Sequence, residues 1–161
     1  MADKNDPLIF VVEDNIAFGQ VVEHYLIAHD YVNVRLFVSG EECLKCLHLK
    51  PDIIIQDYQL QGISGLNVLK RTKKILPNTE FIFLSGQDNV NLAVDSMKLG
   101  AFDFIVKNDV ALQRLIQKIG NITNLQQQKK RNQWQKIFLL WFVILVVLVI
   151  ICIIVMKYSI L

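Results

Sequence analysis

Asp52-Ile53-Ile54-Ile55-Gln56-Asp57 is a short apolar run that closes on a carboxylate, and its reading decides the fold. Three other runs end on polar groups in the same manner. Leu8-Ile9-Phe10-Val11-Val12 ends on Glu13-Asp14, Phe81-Ile82-Phe83-Leu84 on Ser85, and Phe104-Ile105-Val106 on Lys107. Runs this continuous have no solvated face, which is the pattern of strands covered on both sides. In an open parallel sheet, ligands bind in the crevice outside the carboxyl ends of the strands. Four such ends would bring three carboxylates, a hydroxyl and an ammonium to one small site. That inventory suits a divalent cation and a phosphoryl group.

Working outward, the strands alternate with amphipathic segments. Val21, Val22, Tyr25 and Leu26 lie near helical spacing within residues 16–28. A strand is predicted at 33–37, then a helix at 40–49 with Ser39 as N-cap backed by Glu42. The strand at 53–55 leads through a loop, Gly62 to Gly65, to a helix that Pro77-Asn78 breaks. The strand at 81–84 leads to a helix at 90–99, stopped by Gly100, and the strand at 104–106 to a last helix at 110–119. The fold class is therefore α/β: a doubly wound five-stranded parallel sheet with helices on both faces. Leu112, Leu115, Ile119 and Ile122 follow a 3-4-3 spacing that would seed a coiled coil, but the seam dies at Gln126 and Lys129.

The hydrophobic fraction of 53% is uneven, because residues 137–156 form a stretch of 20 without a charge, a glycine or a proline. At roughly 1.5 Å per residue such a helix spans about 30 Å, the thickness of a bilayer core. A single C-terminal transmembrane helix is expected there, after a domain at 7–120 and a polar juxtamembrane linker at 121–136. Residues 1–120 carry 15 acidic and 12 basic side chains, whereas 121–161 carry five basic ones and no acid. Lys129, Lys130, Arg131 and Lys136 precede the apolar run, and the positive-inside rule then puts the N-terminal domain in the cytoplasm. The expected location is the cell (inner) membrane, single-pass. Trp134, Trp141 and Tyr158 flank the span as interfacial aromatics, and the N-terminus lacks the pattern of a signal peptide. The net charge of +2 is a property of the tail and gives no argument for nucleic-acid binding.

Cys43 and Cys46 form a C-x-x-C, but with Leu47 they share one face of the expected helix. Without a second pair they read as small core residues rather than a zinc or redox site. Cys152 falls inside the apolar run. His24, His29 and His48 lie on separate helices with no common face. Lys70-Arg71-Lys73-Lys74 is a solvated helix end, and Asp103 and Asp109 are expected as loop and N-cap residues.

From residue 8 to about 119 the chain resembles the receiver domain of two-component response regulators, of the chemotaxis type. Val11-Val12-Glu13-Asp14-Asn15 resembles the family's acidic-pair motif, and Pro51-Asp52-Ile53-Ile54-Ile55-Gln56-Asp57 its phosphoacceptor motif, with Gly65-Leu66 at the usual distance downstream. Ser85-Gly86 resembles the switch dipeptide, and Gly100-Ala101-Phe102-Asp103-Phe104-Ile105-Val106-Lys107 the block carrying the switch aromatic and the lysine. The resemblance implies that Asp57 accepts a phosphoryl group. It implies Mg²⁺ on the Asp14 and Asp57 carboxylates and the Gln59 backbone carbonyl, with Glu13 acting mainly through a metal-bound water. Lys107 would pair with Asp57 and then with a phosphoryl oxygen, Ser85 would bond another, and Phe104 would turn inward when Ser85 moves.

Departures from the family pattern are Leu60-Gln61 in place of Met-Pro, Asn108 in place of Pro, and Gln56 in place of an apolar residue. Loss of both prolines is expected to loosen the loops around the site. Gln59 and Gln87 sit where the family tunes dephosphorylation.

The function expected is a membrane-anchored single-domain response regulator, phosphorylated on Asp57 by a histidine kinase or phosphotransfer protein and signalling through a downstream protein. It would be no turnover enzyme, only a self-phosphorylating acceptor with slow autodephosphorylation. No direct nucleic-acid binding is expected. The alternative is a phosphorylation-independent membrane scaffold built on the same fold. A dehalogenase-type phosphohydrolase would need Asp-x-Asp, and Gln59 holds that second position.

Overall fold

The computed structural model describes residues 6–159, with side chains described through residue 145. It falls into two compact units, 1–121 and 122–161.

The first unit follows the alternation in the sequence. Strands β1 (Ile9–Val12), β2 (Val34–Phe37), β3 (Ile53–Asp57), β4 (Glu80–Ser85) and β5 (Asp103–Val106) form one parallel sheet in the order β2-β1-β3-β4-β5. Helices α1 (Ile16–Ile27), α2 (Gly40–Lys45), α3 (Gly65–Ile75), α4 (Val90–Lys98) and α5 (Ala111–Ser159) connect and follow the strands. The chain runs from β1 outward to β2 and then reverses through β3 to β5. Right-handed crossovers on the two sides of that reversal place α1 on one face and α2, α3 and α4 on the other. The crevice at the reversal opens beside the carboxyl ends of β1 and β3.

Burial follows the apolar runs. Every residue of β1 and β3 is buried. Phe10, Val12, Ile54, Phe81 and Phe83 build the core on one face with Cys43, Leu47, Val68 and Leu69. Register matters to the site, because Asp57 is still in the ladder, opposite Leu84 of β4. The strand therefore runs two residues beyond the expected 53–55, and the sheet itself holds the carboxylate-bearing backbone.

Local chemistry sets the helix ends. Ser39 Oγ accepts from Glu42 N at 3.3 Å, and Glu42 Oε2 accepts from Val38 N at 3.4 Å, so the expected cap forms. The helix expected over 40–49 is broken after Lys45 into a separate 3-10 turn, Leu47–Leu49, which Lys50 closes in the left-handed conformation at φ 56. Cys43 and Leu47 remain buried, and the C-x-x-C serves the core as expected. Gly100, at φ +92, follows α4, where a side chain would be strained.

The helix expected at 110–119 runs past Gly120, and α5 continues to Ser159. Of the 3-4-3 stripe, Leu115, Ile119 and Ile122 are buried and Leu112 is partly covered. The transmembrane helix expected over 137–156 gains no support. Among the described residues no helix is long and apolar enough to cross a membrane. Side chains are described only for 137–145 of that run, and at ~1.5 Å per residue they cover about 13 Å, under half a bilayer core. Positions 146–156, including Cys152, and Tyr158 beyond them lie outside the described side chains.

Candidate functional site

The polar residues at the strand ends converge. Glu13 follows β1, Asp57 closes β3, Ser85 closes β4 and Lys107 follows β5. Lys107 Nζ donates to Asp57 Oδ2 at 2.6 Å and to Glu13 Oε2 at 2.8 Å, bridging two elements far apart in sequence. The two carboxylates are buried, Glu13 at 5% and Asp57 at 8% exposure. Asp14 completes a cluster in which one carboxylate oxygen from each of Glu13, Asp14 and Asp57 lies within 4.8 Å of the others.

Each group is placed by its own backbone. Lys107 N donates to Ser85 O at 2.7 Å, tying the ends of β4 and β5 together. Glu13 N donates to Phe37 O at 3.0 Å, which extends the β1–β2 ladder to the acidic pair. Asp57 Oδ1 accepts from Gln59 N at 2.9 Å, so both oxygens of Asp57 are engaged. Ser85 Oγ accepts from Gln87 N at 3.0 Å, which fixes the hydroxyl above the strand end. Phe104 sits on β5 opposite Phe83, its ring 6.3 Å from that of Phe83 and 6.0 Å from that of Tyr58. It is partly buried and packs against the core.

Electrostatics explain why Glu13 and Asp57 tolerate each other. Burial pushes the Glu13 carboxyl above its ordinary value of 4.5, and the pull of Lys107 offsets only part of that rise. With all three carboxylates ionised and Lys107 charged, the cluster carries two uncompensated negative charges. A divalent cation balances that charge, and hard carboxylate oxygens are the donors Mg²⁺ takes.

Several contributors were not foreseen in the sequence. Glu41 Oε1 accepts from Ile63 N at 2.8 Å, and a Cβ on Gly62 would meet the same oxygen at 2.7 Å. The β3–α3 loop is thus clasped by α2 just after Gln61, the position where the family pattern has proline. Asn108 accepts from Val110 N through Oδ1 at 3.2 Å and from Ala111 N through its carbonyl at 3.0 Å. It starts α5 in place of Asp109. Asp103, expected in a loop, opens β5, where Oδ1 accepts from Phe104 N at 2.8 Å and Oδ2 lies 2.6 Å from Lys118 Nζ.

The match to known proteins agrees with this geometry. The family "Response regulator receiver domain" matches residues 9–120. The chain belongs to that family. The receiver is 29% identical over 98 residues to the luminescence regulatory protein LuxO of Vibrio campbellii, covering 60% of this chain and 21% of that protein. It is 31% identical over 101 residues to the DNA-binding transcriptional regulator NtrC of Escherichia coli K12, covering 62% and 21% respectively. The chain thus spans about a fifth of the length of these curated relatives. A response regulator receiver protein from Pseudomonas putida superposes with a TM-score of 0.65 at 29% identity, over 71% of this chain and 96% of that one. Two-component signalling and a response-regulator receiver follow from membership.

Proposed function

We propose that this receiver accepts a phosphoryl group on Asp57 from a histidine kinase or phosphotransfer protein and passes the signal on through protein partners. The observation that carries the reading is the Lys107 ammonium held between Asp57 and Glu13, 2.6 and 2.8 Å away, beside a three-carboxylate cluster. In the reaction a carboxylate oxygen of Asp57 attacks phosphorus; the new O–P bond forms as the N–P bond to the donor histidine breaks, and the released imidazole takes a proton. Lys107 exchanges its Asp57 oxygen for a phosphoryl oxygen and meets charge where it develops. Ser85 turns its hydroxyl from Gln87 N to another phosphoryl oxygen, and Phe104 follows Ser85. Mg²⁺, held by Asp14, Asp57 and the Gln59 carbonyl with Glu13 through a water, would neutralise the repulsion between two anions. The chain has no turnover of its own in this reading beyond slow loss of the phosphoryl group.

The membrane part of the proposal rests on sequence: 20 uncharged residues at 137–156, preceded by basic residues, would hold the receiver at the cytoplasmic face of the inner membrane. Carbonate-resistant membrane retention of the full chain, lost on deleting 137–156, is the expected result.

The phosphoryl reading is tested with acetyl phosphate and Mg²⁺ on a phosphate-affinity gel. A Mg²⁺-dependent shift, lost in Asp57→Asn, is expected. Its absence in the wild-type chain would favour a scaffold that works without phosphorylation.

A further inference from the structure

Phe18 is the one aromatic ring placed on the site lysine among the described contacts: Lys107 Nζ lies 4.4 Å from the ring centroid. The placement is built from the acidic motif itself. Asn15, next to Glu13-Asp14, caps α1 by accepting from Phe18 N at 3.2 Å, which fixes the backbone of residue 18 in the first helical turn. Gly19, next in the helix, lies beside Glu13, whose Cβ is 3.6 Å from where a side chain would begin, an ordinary packing distance. The cap sets the turn from which the half-buried ring reaches the ammonium.

An ammonium has three N–H groups and Lys107 spends two on Glu13 and Asp57. The ring face attracts the cation without offering a lone pair, and its edges keep water from that side. We propose that Phe18 is a positioning residue for phosphoryl acceptance: it holds Lys107 Nζ between the carboxylates so that it is already in place when a phosphoryl oxygen arrives on Asp57. This rests on the phosphoryl-acceptor reading above. Phe18 touches no reacting atom, and it acts only through Lys107.

The test compares the full chain in detergent micelles with Phe18→Leu, which keeps apolar bulk, and Phe18→Tyr, which keeps the ring. With acetyl phosphate and Mg²⁺, Phe18→Leu should lower the limiting rate of phosphorylation about two- to five-fold, the worth of one such contact. The acetyl phosphate concentration at half-maximal rate should stay unchanged, and Phe18→Tyr should restore the wild-type rate. NMR of the Lys107 ε-methylene gives an independent readout, an upfield ring-current shift in wild type and Phe18→Tyr that is lost in Phe18→Leu. Equal rates in wild type and Phe18→Leu, or an unshifted Lys107 methylene in wild type, would overturn the proposal. Should Phe18→Leu not fold, the ring-current shift and the Phe18→Tyr rate decide alone. A wild-type chain that takes no label overturns the phosphoryl reading itself, a result distinct from equal rates in a labelled pair.

Discussion

Replacing Lys107 with methionine keeps most of the apolar stem and removes the cation that faces Glu13 and Asp57 among the described residues. An exposed ion pair would lose only about 0–1 kcal/mol. Here the ammonium is a fifth exposed and its partners are nearly buried, with side-chain exposures of 21%, 4% and 10% for Lys107, Glu13 and Asp57. Breaking a buried pair by removing one partner typically costs about 3–5 kcal/mol, because a charge is left without compensation. Glu13 softens the loss in part, since burial already holds its carboxyl above the ordinary range and removing Lys107 removes the charge that lowers it. The loss expected at pH 7 without Mg²⁺ is therefore about 3 kcal/mol, the low end of that range. The sign with pH follows from the raised value. Between 4.5 and the folded-state value the native protein binds more protons than the unfolded chain, so the Glu13 contribution to stability falls as pH rises through that window. In Lys107→Met the window widens upward, and the deficit against wild type should shrink on going from pH 7 to pH 5. Millimolar Mg²⁺ at pH 7 should also shrink it, by returning a cation to the carboxylates. Urea unfolding read by pulse proteolysis measures both. A deficit under about 1 kcal/mol, indifferent to pH and Mg²⁺, would refute the reasoning and mean that the cluster is solvated as a surface pair is.

Three further outcomes follow from particular contacts. Gln56 is fully buried and neither its Oε1 nor its Nε2 has a hydrogen-bond partner among the described residues, so Gln56→Met should stabilise the receiver by about 1–3 kcal/mol in the same assay; a loss of stability would show the amide to be paired in solution. Glu41→Ala should release the β3–α3 loop at a cost of about 0.5–1 kcal/mol, with faster hydrogen exchange at Ile63 N, and unchanged exchange there would contradict the clasp. Burial holds the Cys43 thiol up at about 12, against an ordinary 9.0, so native-state alkylation of Cys43 at pH 8 should run about a thousand-fold slower than in urea; rapid native labelling would contradict it.

The strand ends were legible because period and polarity speak at short range. Each of the four apolar runs announced a strand, three of them buried and β5 only partly covered, and the polar residue closing it had only one place to go in a parallel sheet. The convergence of Glu13, Asp57, Ser85 and Lys107 therefore needed no knowledge of loop geometry. What escaped the reading depends on loops and on partners distant in sequence. Glu41 reaches Ile63 across 22 positions, and the missing Cβ of Gly62 leaves space for its carboxylate. Phe18 carries no motif of its own in the sequence; its ring reaches Lys107 from the turn that Asn15 caps. Gly120 disfavours a helix by about 1 kcal/mol, too little by itself to stop α5. Where the two prolines are missing, Glu41 holds Ile63 N from a distant helix, a contact no local motif records, whereas Asn108 bonds Val110 N as an ordinary helix-start residue.

Phosphoryl transfer to Asp57 is most directly read by labelling the full chain with acetyl phosphate and Mg²⁺, reducing with borohydride, and sequencing the peptides by mass spectrometry. Reduction converts a phosphorylated aspartate to homoserine, which marks the acceptor. Homoserine at position 57 alone, absent without Mg²⁺, is the expected result. No homoserine at 57, or labelling that falls on Glu13, Asp14 or a histidine, would contradict the assignment of Asp57 as the acceptor.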